Sequence, residues 1–199
     1  MSPKMRADIL EKAEQLFAAR GFEGTSLDQI ADAVGIRRPS LFHYFRSKRE
    51  IYDTVEADIV SSLTAATMPG SLNAPPLDAL MALLQGWLEV MLARPTVARI
   101  VLRNTTDFPS RVLERDPLQF MDVVVHRFEE IIQAGQGDGS FHTIRPMVAL
   151  NILAPSIVHY VCSADQLGEG RAYDPADAIT LADFMNGLRR AAQGLLIRE

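Results

Sequence analysis

The sequence predicts an all-α protein of about nine helices. Apolar residues recur at spacings of three and four along most of the chain, which is the period of a helix buried on one side. Glycine, proline and aspartate stand where these periodic stretches begin and end. No stretch shows the alternation of apolar and polar residues that indicates a β-strand. Hydrophobic residues make up 48% of the chain, which is ample for a packed core.

The first helix is predicted over residues 5–20. Gly21 ends it, and Phe22 follows as the apolar contact that often accompanies a glycine C-cap. The buried stripe of this helix consists of Ile9, Leu10, Ala13, Leu16 and Phe17.

Residues 25–48, TSLDQIADAVGIRRPSLFHYFRSK, predict two short helices joined by a tight turn at Gly35. The first of them has one apolar face, made of Leu27, Ile30, Ala31 and Val34. The second covers about residues 38–45, with Leu41 and Phe45 on its inner side. Its outer side carries Arg37, Arg38, Ser40, His43 and Tyr44. This is the layout of a helix–turn–helix, whose second helix enters the DNA major groove.

The charge distribution favours DNA binding over an ordinary αα-corner. Residues 36–50 hold five cationic side chains against Glu50 alone, whereas the whole chain has a net charge of −5. Capping boxes are available at both flanking helix starts, from Thr25 with Asp28 or Ser26 with Gln29, and from Ser47 with Glu50. Helix N-termini with free amides bind phosphate groups.

Residues 6–52 resemble the DNA-binding domain of TetR-type transcriptional regulators. The matching pieces are Ala13, Leu16-Phe17, Gly21-Phe22, Thr25-Ser26, Ile30-Ala31, Val34-Gly35-Ile36, Leu41-Phe42-His43-Tyr44-Phe45 and Ser47-Lys48. Two positions depart from the family pattern. Arg37 stands where a small polar helix cap is common, and Phe42 stands where a tyrosine often hydrogen-bonds phosphate. The rest of the chain resembles the family in length and helical character only.

The candidate DNA contacts divide into two groups. Arg38 is the first candidate for a base contact, because arginine pairs with guanine O6 and N7. The secondary base-contact candidates are Pro39, Ser40, Phe42 and His43, with Arg37 in the same basic surface. The expected phosphate contacts are Thr25, Ser26, Tyr44 and Lys48.

The remaining helices are predicted over residues 47–66, 76–93, 95–104, 117–135, 146–164 and 175–196. We expect residues 1–48 to form the helix–turn–helix domain and the helix over residues 47–66 to link it onward. Residues 67–199 are expected to form a ligand-binding and dimerisation domain, since prolines and glycines cluster just after residue 67. A bend is expected at Pro155.

The helix over residues 76–93 is apolar nearly all round, so it is either the central core helix or also the wall of an apolar cavity. The candidate cavity residues are Trp87, Met91, Phe108, Phe120, Met121 and Phe128, with His126 or Tyr160 as polar groups. Such a cavity suggests a lipophilic effector.

A symmetric DNA site requires a two-fold protein. The last helix has an apolar stripe that either packs within the chain or meets a second copy. The family resemblance implies a four-helix dimer interface made by the last two helices. The candidate interface residues are Leu181, Phe184, Met185, Leu188, Ala192 and Leu195.

Nothing in the sequence indicates an enzyme, a cofactor or a metal site, because GxSxG, P-loop, GxGxxG and HExxH motifs are absent. The N-terminus lacks a signal-peptide core, no uninterrupted apolar run reaches the roughly 18 residues of a membrane span, and Cys162 is the single cysteine. With the predicted helix–turn–helix, the apolar bundle and the family resemblance, we expect a cytoplasmic, dimeric repressor that a small lipophilic molecule releases from a palindromic operator in double-stranded DNA.

Overall fold

The computed structural model describes residues 2–66, 74–106, 122–164 and 172–197. Within these residues the chain forms α-helices and no strand, which confirms the all-α prediction. The helices are α1 Pro3–Arg20, α2 Leu27–Ala33, α3 Arg38–Leu41, α4 Lys48–Ala65, α5 Pro76–Ala93, α6 Pro95–Thr106, α7 Asp122–Gly137, α8 Pro146–Ser163 and α9 Ala178–Leu196.

The first three helices pack around the stripe that the sequence predicts on α1. Ile9, Ala13 and Phe17 are almost fully buried there. Gly21 ends α1 with φ of 73°, and its N–H donates to the carbonyl of Phe17. Phe17 makes an edge-to-face contact with Tyr52 of α4, with ring centroids 4.8 Å apart. The N-terminal end of α4 is therefore anchored to the same core as α1.

The turn between α2 and α3 forms at Gly35, as the sequence predicts, with φ of 71°. The N–H of Ile36 closes the turn by donating to the carbonyl of Ala31 over 3.0 Å. The second helix is shorter than predicted, since α3 ends at Leu41 instead of Phe45. In the next turn the carbonyl of Leu41 accepts from Tyr44 N–H over 2.9 Å and from Phe45 N–H over 3.1 Å, so the three-residue spacing of a 3₁₀ turn and the four-residue spacing of an α-helix occur together.

The C-terminal helices pack as a bundle around α5, whose buried positions lie on several sides. Both α5 and α8 are as long and as apolar as a membrane span, with mean hydropathies of 1.3 and 1.4 over 18 residues. Half of the α5 window is buried inside the protein and 39% of the α8 window is. A central helix of a bundle has the same length and hydropathy, so this property fits their place in the core.

The ends of the later helices differ from the predictions. α9 begins at Ala178, not at Pro175, because the carboxylate of Asp177 caps it by accepting from Thr180 N–H over 2.9 Å. Asp174 instead closes a turn by accepting from Ala176 N–H. The predicted start of the seventh helix lies outside the described residues, and α7 continues to Gly137. Pro155 lies inside α8.

Candidate nucleic-acid interface

The start of α2 resolves the choice between the two predicted capping boxes. Ser26 is the N-cap: its hydroxyl accepts from Gln29 N–H over 3.2 Å, and the Gln29 side chain accepts from Ser26 N–H over 2.9 Å. Thr25 is buried, and its hydroxyl donates to the carbonyl of Gly21 over 2.8 Å. The Thr25 side chain therefore joins α2 to the end of α1 and does not face outward.

Helices α1, α2 and α3 together form what we call the head. Two buried side chains anchor α3 in the head and leave the opposite side of α3 at the surface. Leu41 and Phe45 are 0% and 1% exposed. Phe42 is 46% exposed, although an aromatic ring of this size is normally covered. The exposed residues around it are Arg37, Arg38, Pro39 and His43, while Ser40 and Tyr44 are half-buried. The resulting surface, which we call the α3 face, is cationic with an apolar centre.

Arg38 is partly engaged within the head. Its Nη1 donates to Asp28 Oδ2 over 3.1 Å, and its side chain is 51% exposed. A guanidinium has five N–H donors, so most of its donors remain available for a base edge. Asp28 presents a carboxylate at the α3 face and competes with any acceptor that approaches Arg38.

Lys48 lies at the start of α4 and also has an internal partner. Its Nζ donates to the carbonyl of Phe22 over 2.8 Å and lies 4.2 Å from the centroid of the Phe22 ring. An ammonium has three donors, so two remain for phosphate oxygens. Ser47 caps α4 as predicted by accepting from Glu50 N–H over 3.1 Å, but the Glu50 carboxylate accepts from Arg46 N–H instead of completing the box.

A charged link joins the head to the bundle. Arg94, between α5 and α6, donates from Nε to Glu14 of α1 over 2.7 Å and pairs with Asp58 of α4 over 2.7 Å. The Glu14 carboxylate, 6% exposed, also accepts from the hydroxyl of Thr96. The flanking carboxylates raise the pKa of Arg94 above its usual range. This cluster brings α1, α4 and the α5–α6 junction together.

The candidate cavity residues lie in different surroundings. Trp87 and Met91 are buried on α5, and the Trp87 ring stacks on the buried Phe128 of α7 with centroids 6.4 Å apart. His126 is exposed, so it does not line the interior. Tyr160 donates its hydroxyl to the carbonyl of Pro175 and stacks on Phe184, so its polar group is already used between α8 and α9. Phe108, Phe120 and Met121 lie outside the described residues.

The predicted dimer stripe of α9 mainly packs against the protein's own bundle. Leu188 and Ala192 are 5% and 0% exposed within one chain, so they are core residues. The other four candidates are half-buried and pack against the same core: Leu181, Phe184, Met185 and Leu195. Helical periodicity shows that a stripe is apolar, but it does not show whether the stripe packs within one chain or against a second chain.

The N-terminal part of the chain matches a known family of regulators. A profile described as "Bacterial regulatory proteins, tetR family" matches residues 9–55, which hold α2, α3 and the turn between them. Residues 9–55 therefore have the sequence of a TetR-type DNA-binding domain. The chain is 43% identical over 49 residues to the biofilm operon negative transcriptional regulator IcaR of Staphylococcus aureus. That match covers 25% of this chain and 26% of IcaR, so the chain spans about a quarter of that relative.

The similarity to other regulators extends over more of the chain. The transcriptional repressor KstR2 of Mycolicibacterium smegmatis is 29% identical over 141 residues, which cover 68% of this chain and 67% of KstR2. The solved KstR2 of Mycobacterium tuberculosis has a TM-score of 0.72 at 21% identity and covers 100% of this chain and 98% of its own. A TetR-family regulator from Shewanella sp. PV-4 has a TM-score of 0.71 at 18% identity, covering 98% and 99%. The two solved structures show the shared fold.

Sequence reasoning missed three features of the site. The pairing of Arg38 with Asp28 crosses from α2 to α3 and has no local signal. Arg6 of α1 lies over the Phe45 ring, 4.7 Å from its centroid, and adds a cation beside the α3 anchor. Glu14 could have been noticed, because it lies on the apolar side of α1 between Leu10 and Phe17, where a charged residue needs a partner.

Proposed function

We propose that this TetR-family protein is a ligand-responsive repressor that binds a palindromic DNA operator as a homodimer, and not an enzyme. The α3 face carries this proposal: it combines exposed arginines with an exposed phenylalanine on a turn anchored by Leu41 and Phe45. Such a surface offers both hydrogen-bond donors and an apolar contact to base edges. The repressor role agrees with the relatives IcaR and KstR2, which are described as a negative regulator and a repressor.

In this proposal Arg38 reads a base, and the side chains around it complete the contact. Phe42 lacks a hydroxyl, so it touches a thymine methyl group or packs on the backbone. Lys48, Ser26 and Tyr44 hold phosphates, which gives affinity and register without sequence preference. The hydroxyl of Thr25 is engaged inside the head, so we assign Thr25 a positioning role through α2.

We assign the dimer interface to the outward sides of α8 and α9. Three large apolar side chains of α8 are exposed on one face: Met147, Val148 and Ile152, at 41%, 37% and 51%. On the outer side of α9, Gly187 and Gly194 have open space where a Cβ would stand. Small residues allow a second copy of α9 to approach closely, and the α8 side chains supply apolar area to bury.

We assign the separate functions to the domains that the sequence predicts. Residues 1–48 hold the DNA-reading head, α4 links it onward, and residues 67–199 hold the effector and dimerisation functions. The effector is lipophilic in this proposal, since Trp87, Met91 and Phe128 give the bundle interior an apolar character. The solved relative KstR2 is described as a ketosteroid transcriptional regulator, which agrees with a lipophilic ligand. A DNA-binding repressor acts in the cytoplasm, where its operator is.

Linkage explains how such an effector would release DNA. A ligand that fits one arrangement of the bundle better than another shifts the population toward that arrangement. The link at Arg94 contacts both α1 and α4, so a movement of the α5–α6 junction reaches the head through two helices. Two heads bind successive major grooves about 34–36 Å apart only if their separation is right.

Selection of bound sequences from a random duplex pool tests this function. The purified full chain should enrich a palindrome whose half-sites are about one helical turn apart, with a guanine at the position that Arg38 contacts. A recovered set without two-fold symmetry, or no enrichment at low ionic strength, would contradict the proposal.

A further inference from the structure

The indole N–H of Trp87 donates no hydrogen bond within the part of the chain that the structure describes. The side chain is 5% exposed, its Nε1 is inaccessible to solvent, and Nε1 has no hydrogen-bond partner in the described part of the chain. A buried indole N–H usually finds an acceptor, and each buried polar atom without one needs an explanation. The arrangement seen here therefore leaves one interaction unmade at the centre of α5.

The surroundings of Trp87 indicate what kind of hydrogen-bond acceptor its N–H would take. Its ring lies nearly parallel to the Phe128 ring, with an angle of 19° between their planes. This aromatic pair offers apolar carbon to any molecule that reaches Nε1. A single neutral N–H does not compensate for the desolvation of a carboxylate or phosphate, so the acceptor that it takes is uncharged.

We propose that Trp87 is the hydrogen-bond donor to the effector, which is a lipophilic molecule with an uncharged acceptor oxygen such as a ketone or ester carbonyl. This inference rests on the proposed ligand response and names the ligand's chemical class. Because Nε1 is closed off from solvent, the carbonyl reaches it only when a neighbouring group moves. Binding therefore selects an arrangement that differs from the one described here.

The close packing at Gly86 couples a movement of α5 to α4, which leads to the DNA-binding head. A Cβ on Gly86 would lie 2.5 Å from the carbonyl oxygen of Ala66, the C-cap of α4, so the two backbones are in close contact. A displacement of α5 at Trp87 is transmitted through its chain neighbour to that end of α4. The other end of α4 carries Lys48 at the head.

The single tryptophan of the chain makes the test direct. A ¹H–¹⁵N correlation spectrum of the full chain has one indole signal, which belongs to Trp87. The two probes are cyclohexanone and methylenecyclohexane, which differ by an oxygen in place of a CH₂ group. We expect saturating cyclohexanone to move the indole proton signal downfield. Methylenecyclohexane should not cause this downfield shift. An indole signal that does not move under saturating ketone overturns the proposal.

The variant Trp87→Phe is the matched control, since it keeps an aromatic ring against Phe128 and removes the N–H. Thermal-shift titrations give the affinity of each probe for both proteins. The preference for ketone over alkene should be about tenfold greater in the wild-type chain than in the variant, the size of one hydrogen bond. An equal preference in both proteins contradicts the donor role.

A parallel DNA titration separates this proposal from the proposed function. If ketone shifts the indole signal but leaves operator affinity unchanged, the donor role stands and ligand-responsive repression fails. If another lipophilic molecule releases DNA while the ketone leaves the indole signal in place, repression stands and the role of Trp87 is wrong.

Discussion

Glu14 of α1 and Arg94, between α5 and α6, form an ion pair that joins the DNA-binding head to the helical bundle. The two residues are far apart in sequence, and the carboxylate is buried while the guanidinium is half-buried. Asp58 of α4 shares the same guanidinium. A buried carboxylate without its cation is costly, so the head and the bundle are held in one relative position as long as this pair is intact.

The variant Glu14→Gln should lower the free energy of unfolding by about 1–3 kcal/mol, because it removes the charge that Arg94 binds. Urea unfolding of the full chain measures this change. Glu11→Gln on the same helix is the control, since Glu11 is 63% exposed and should change stability by less than about 0.5 kcal/mol. Equal effects of the two substitutions would show that the ion pair does not stabilise the fold.

The variant Asp28→Asn should strengthen DNA binding. Asp28 accepts from Arg38 in the free protein, so removing its charge releases the arginine for the base edge. We expect a gain of about two- to fivefold in affinity at low salt, the range of an exposed ion pair.

Asp32→Asn makes the same charge change on α2, and Asp32 has no ion pair with Arg38 in the described structure. Fluorescence anisotropy with a labelled duplex should show a smaller gain for this control. Identical gains would mean that net charge alone, and not the release of Arg38, accounts for the effect.

The exposed α8 stripe predicts the effect of a charge at Ile152. Ile152→Glu should give a monomer in sedimentation analysis, because it places a carboxylate in the proposed apolar interface. Val123→Glu on α7 is the control, because it also replaces an exposed apolar side chain with a carboxylate. Val123 is 58% exposed and lies on a helix outside that interface. A dimer that survives Ile152→Glu, or that is lost with Val123→Glu, would place the interface elsewhere.

Burial raises the pKa of the Cys162 thiol, and the positive charge of Arg99 offsets part of that rise. The reactive thiolate is therefore scarcer than in an unperturbed cysteine at the same pH. Labelling by an aromatic disulfide at pH 8 should be slower for the folded chain than for the chain in urea, and it should accelerate as the pH rises further. Equal rates in the folded and unfolded chain would rule out this protected environment.

The helices of the head could be predicted from sequence because their signals are local. The stripe of α1, the turn glycine Gly35 and the cap at Ser26 each follow from residues within one or two turns of each other. The length of α3 could not be predicted, since the apolar spacing of Leu41 and Phe45 suits either an α-helix or a tighter turn.

The sequence could not predict which hydrogen-bond partner a polar side chain takes when several are suitable. Asp174 and Asp177 are both followed by residues that suit a helix start, but only Asp177 caps α9. The hydroxyl of Tyr160 has the chemistry of a ligand contact and is used instead by the carbonyl of Pro175. These choices depend on tertiary packing, which sets which of several suitable partners lies within reach.

The most direct test of the central claim compares the affinity of the protein for two duplexes. One is the selected palindrome, and in the other the guanine that Arg38 is proposed to contact is replaced. Wild-type protein should prefer the selected duplex by about 1–3 kcal/mol per altered base pair, and Arg38→Ala should lose that preference. Lys48→Ala should weaken both duplexes alike and reduce the dependence of affinity on salt. An unchanged preference in Arg38→Ala, or no duplex binding by the wild-type chain at low ionic strength, would contradict the account of the α3 face.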